Sequence, residues 1–94
     1  MDRFDRLSVA IQSMDKLAVM YRASGNRRIA TRFFECAGEL PNETAIRDAW
    51  FILDQASTLE DEQDVFLAQF RADMRPAIMD ARNAIDAYER AVKP

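Results

Sequence analysis

The sequence predicts an all-α fold, an antiparallel bundle of four helices. Three observations lead there. Apolar residues recur at helical spacing from one end of the chain to the other. The period-two alternation of a half-buried strand is almost missing. The 94 residues include only two glycines and three prolines to interrupt helices.

The first helix is expected over about 3–24, where Phe4, Leu7, Ile11, Met14, Ala18 and Tyr21 are spaced 3, 4, 3, 4 and 3. Ala10 and Leu17 widen that stripe. Asp2 suits the N-cap, with its charge at the positive end of the helix dipole. Ser24-Gly25-Asn26 ends the helix, with Gly25 at the left-handed position just past the cap. The second helix, about 27–40, starts from Asn26 as cap. Its stripe is Ile29, Phe33, Ala37 and Leu40, with Ala30 and Phe34 alongside. Pro41 stops it, because the residue before a proline avoids helical backbone angles.

Asn42 caps a third helix over about 43–57, and Glu43 sits in its first turn. Ala49-Trp50-Phe51-Ile52-Leu53 is apolar at five consecutive positions, more than one face can hold, so this helix is expected to pack on two sides. Ser57 and Glu60 have capping-box spacing and predict a fourth helix over about 59–92. Its stripe is Leu67, Phe70, Met74, Ile78, Ala81, Ile85, Tyr88 and Val92. The phase survives Pro76, so the proline is expected to kink one long helix. Alanines at 77, 81, 84, 87 and 91 leave a thin side that another helix can approach closely. Short connections make neighbouring helices antiparallel.

Length fits a single domain over 1–94. The net charge of −3 argues against general attraction to nucleic acid or anionic lipid. No apolar run approaches ~20 residues, so no membrane span is expected. The lone Cys36 has no disulfide partner. The opening Met1-Asp2-Arg3-Phe4-Asp5 lacks the apolar block of a secretory leader. A cytoplasmic protein is the expectation.

The chain has no histidine, which removes the commonest general base and metal ligand. Cys36 lacks a histidine to activate it and reads as a small core residue. A carboxylate-bridged metal pair in a helical bundle needs Glu-x-x-His, and Glu39 and Glu43 straddle Pro41. Neither an enzyme nor a metal or cofactor is expected. Met14, Met20, Met74 and Met79 read as core filler.

Charge is segregated. Between Asp15 and Glu35 every charged residue is basic: Lys16, Arg22, Arg27, Arg28 and Arg32. From Glu35 to Phe70 there are nine acidic residues and one basic, Arg47. The arginines surround the turn between the first two helices, where free backbone N–H groups and Tyr21 would complete an anion or nucleotide site. Alternatively they pair with Glu60, Asp61, Glu62 and Asp64 at the other turn on the same end of the bundle. The acidic stretch is either a solvated face or a contact surface, with Glu35, Glu39, Asp48 and Asp54 as the candidate residues.

The favoured expectation is a small acidic interaction protein, an inhibitor or adaptor that binds a protein partner with a basic surface. Small acidic proteins that block nucleic-acid-binding partners, many of them phage-encoded, work through such complementarity. The alternative is an anion- or nucleotide-binding protein built on Tyr21, Arg22, Arg27, Arg28 and Arg32. A homodimer is expected too, because a chain this small has more apolar helix face than it easily hides. Trp50 and Phe51 are its apolar interface candidates.

Overall fold

The computed structural model describes residues 3–40, 42–60 and 70–92. Among them are four helices and no strand: α1, Arg3–Ala23; α2, Arg27–Glu39; α3, Glu43–Glu60; and α4, Arg71–Val92. The all-α expectation holds.

The α1–α2 turn follows from three residues. The amide of Asn26 donates to the Tyr21 carbonyl at 2.9 Å and that of Gly25 to Arg22 at 3.0 Å, the paired bonds of a Schellman stop. Gly25 sits at φ +92°, where a Cβ would be strained. Asn26 then starts α2, its side-chain oxygen accepting from the Ile29 amide at 3.4 Å. Asn42 does the same for α3, accepting from the Thr44 amide at 2.9 Å.

The boundary between the last two helices departs from the sequence reading. Ser57 and Thr58 lie inside α3, which runs to Glu60. Their hydroxyls donate to the carbonyls four residues back, Leu53 at 3.0 Å and Asp54 at 3.1 Å. A serine that satisfies its hydroxyl this way has no need to cap, so the Ser57–Glu60 spacing does not mark a start. Nor does one helix run from 59: α4 begins at Arg71, with the Phe70 carbonyl accepting from the Asp73 and Met74 amides, each at 2.9 Å. From there it continues unbroken through Pro76. Asp2, Pro41, Leu67 and the acidic group Asp61, Glu62 and Asp64 lie outside the described residues, as do the side chains of Phe4 and Glu60.

Each helix packs against two others in a ring: α1 on α2 and α4, and α3 on the same two. Pairings across α3 and α4 run in opposite senses, since Trp50 meets Glu89 while Asp54 meets Arg82. The same holds for α2 and α3, where Arg32 meets Gln55 and Cys36 meets Ala45. The bundle is antiparallel. Leu7, Met14, Leu17, Tyr21, Phe33, Ile52, Leu53, Met74 and Ile85 are fully buried at its centre. Burying a side chain of that size contributes roughly 1.5–3 kcal/mol. Of the alanines on the thin side of α4, Ala77 and Ala81 are buried and Ala84 half-buried within the monomer, whereas Ala87 and Ala91 are exposed.

Four apolar residues assigned to packing are instead exposed. Phe51 is 65% exposed, Met79 55%, Val92 43% and Phe34 41%. The five-residue apolar run in α3 therefore packs with Ala49, Ile52 and Leu53 inward, Trp50 at the edge and Phe51 outward.

Candidate functional site

Three of the four acidic candidates come together. Glu35 and Glu39 stand one turn apart on α2, and Asp48 faces them from α3. With Arg32, Cys36 and Ile52 they line an open groove of about 150 Å³ between the two helices. Arg32 forms one end. Its guanidinium donates to Gln55 Oε1 at 2.9 Å and lies 5.5 Å from the centre of the Phe51 ring. That arrangement joins the acidic groove to the most exposed aromatic residue of the described chain, so one continuous face presents carboxylates and a bare ring.

Cys36 forms the floor. Its thiol is buried and donates to the Ala45 carbonyl at 2.9 Å. Burial, then the charges of Asp48 and Glu39, push its pKa up to about 11, against the opposing pull of Arg32. A thiol held in that state is a poor nucleophile, which agrees with its reading as a core residue.

Asp54 does not join this group. It turns toward α4 and pairs with Arg82 at 3.6 Å. Arg82 also lies 5.8 Å from the centre of the Trp50 ring, while the Trp50 indole N–H donates to Glu89. Trp50, read from sequence as an interface residue, is thus half-buried and tied to α4 within the monomer.

The arginine cluster is dispersed. Tyr21 is fully buried with its ring stacked on Phe33 at 5.8 Å, so it offers no face to a ligand. Arg32 points to α3. Arg22 and Arg27 remain together, lining a separate groove of about 240 Å³ with Ala30, Thr31 and Phe34. Arg28 is exposed and does not line that groove. None of Arg22, Arg27 and Arg28 forms an ion pair among the described residues.

Sequence reasoning missed Phe34 and Arg82. Phe34 lies seven residues from Arg27 and three from Thr31, so a helical projection puts it on their polar side. No comparable signal marks Arg82, whose two contacts depend on how α4 meets α3. Among the described residues no group of His, Cys, Asp and Glu stands close enough to hold a metal ion. None of them forms a helix long and apolar enough to cross a membrane. No family model, curated protein or solved structure matches this chain.

Proposed function

We propose that this chain is a small, non-enzymatic interaction protein of the cytoplasm, an inhibitor or adaptor, that binds a protein partner with a basic surface through the α2–α3 face. The observation that carries this reading is the convergence of Glu35, Glu39 and Asp48 around one groove, continuous through Arg32 with the exposed ring of Phe51. Carboxylates at the rim steer a basic partner and speed association. An aromatic residue beside them supplies the apolar contact that such interfaces use as an anchor. The alternative, an anion or nucleotide held by the arginine cluster, has less support, because Tyr21 is buried and Arg32 is engaged by Gln55.

The test is affinity capture from an extract of the source cells with three forms of the chain. The native chain and Arg22→Glu/Arg27→Glu/Arg28→Glu should retain the same basic protein. Glu35→Lys/Glu39→Lys/Asp48→Lys should lose it. Retention of that protein by the lysine variant would reject the reading. So would a rise in melting temperature with a phosphate-bearing small molecule that the arginine variant abolishes.

A further inference from the structure

The charges on α2 run against its own dipole. Arg27, Arg28 and Arg32 occupy its N-terminal half, where the helix end is already positive. Glu35 and Glu39 occupy its C-terminal half, where the end is negative. No acidic residue stands in the first turn and no basic one in the last. Like charges also stack one turn apart, Arg28 with Arg32 and Glu35 with Glu39, which weakens an isolated helix. Among the described residues, Arg27, Arg28, Glu35 and Glu39 form no ion pairs that would offset this.

Between the two charged ends lies an outward stripe, Arg27, Thr31, Phe34 and Gly38, spaced 4, 3 and 4. Phe34 is 41% exposed on it. Gly38 is the penultimate residue of α2, has no positive φ, and a Cβ there would meet nothing within 4 Å. In this last turn glycine costs less than it would mid-helix, and no neighbour within the chain requires it. A glycine on an open helical face permits a second backbone to come close.

We propose that this face of α2 is the interface of a two-fold homodimer, in which α2 packs antiparallel on α2 of a second copy. The second copy is the occupant that these charges fit. In an antiparallel pair related by a two-fold axis, residues on the same rim face each other in reverse order. Arg28 of one copy then falls beside Glu35 and Glu39 of the other, and the reverse contact follows by symmetry. Each helix end receives the charge its dipole lacks. Each Phe34 enters the partner's groove beside Thr31 and Ala30, under the guanidinium groups of Arg22 and Arg27. The thin position at Gly38 accepts Arg27 of the other copy. One helix of 13 residues is about 20 Å long, so the interface is small and the dimer weak. The proposal goes beyond the partner reading: Phe34 and Gly38 serve only the dimer and Asp48 and Phe51 on α3 only the partner, while Glu35 and Glu39 are used by both, so the second copy and the basic partner compete for them.

Sedimentation equilibrium of the full chain from micromolar to millimolar concentration tests it. The native chain should show a monomer–dimer equilibrium that loosens in high salt. Phe34→Glu should stay monomeric throughout. Gly38→Leu should weaken the dimer by at least about tenfold without lowering the melting temperature of the dilute monomer. Arg27→Glu/Arg28→Glu and Glu35→Arg/Glu39→Arg should each be monomeric alone and form a one-to-one heterodimer when mixed, which also shows that both variants fold. Asp48→Lys and Phe51→Ser should leave the dimer unchanged. A native chain that is monomeric at every concentration would overturn the proposal. A dimer indifferent to Phe34→Glu would do so as well, as would inorganic phosphate binding to Arg22 and Arg27 on a chain that stays monomeric.

Discussion

Cys36 is 5% exposed, and its thiol donates to the Ala45 carbonyl on a floor shared with Glu39 and Asp48. Burial and those two charges raise its pKa from 9.0 to about 11 in the folded chain. The folded value lies above the unfolded one, so the stabilisation is complete below about pH 9. It is lost as pH climbs through 11. The loss is on the order of 3 kcal/mol. Urea denaturation at pH 7 and pH 10.5 should therefore show a larger decline in the native chain than in Cys36→Ala; equal declines would contradict the burial argument. That Cys36 belongs to the core was legible in the sequence, because it flanks the Phe33–Ala37 stripe. Its acidic neighbours were not, because Asp48 arrives from another helix. Trp50 and Phe51 make the same point. Adjacent in sequence, they point about 100° apart on a helix. One is held by Arg82 and Glu89 and the other lies open under Arg32. Which of the two faces outward depends on where α4 docks, and no local pattern encodes that.

At the level of elements, the turns were the most readable feature. Gly25 and Asn26 have chemistry specific to a left-handed stop and an N-cap, and both take those roles. Gly25→Ala should cost about 1–2 kcal/mol through the positive φ it must keep. Asn26→Ala should cost about 1 kcal/mol through the lost cap. Urea denaturation of the two variants checks both figures, and a neutral Gly25→Ala would mean that the turn does not persist in solution. The Ser57–Glu60 spacing misled because serine has two uses in a helix, capping an end or bonding back to a carbonyl four residues earlier. Sequence spacing does not separate them. α2 is the reverse case. Its charges were visible as segregated blocks, but the significance of Phe34 and Gly38 appeared only once α1 and α3 had covered the other sides of the helix. What remained open was a stripe with a bare ring, a glycine without an internal reason, and charges opposed to the dipole.

For the whole molecule, the ring of four packed helices distributes the two blocks of charge around α2. The basic groove lies on its α1 side and the acidic groove on its α3 side. The fold class follows from periodicity because a helical stripe needs no knowledge of its partner to be recognised. The site does not, because it is assembled from α2 and α3 and depends on their register. Asp54, acidic and on the same helix as Asp48, lies six residues further on and so on a different face, where it pairs with Arg82 of α4 instead of joining the groove. The central claim, that a basic partner meets the α2–α3 face, is tested most directly by placing a photo-crosslinking side chain at single positions of the full chain in the source-cell extract. Replacing Asp48 or Phe51 should trap one and the same basic protein, and replacing Met79, exposed on α4, should not. Failure to trap any protein at 48 and 51, or equal trapping of it at 79, would contradict the account.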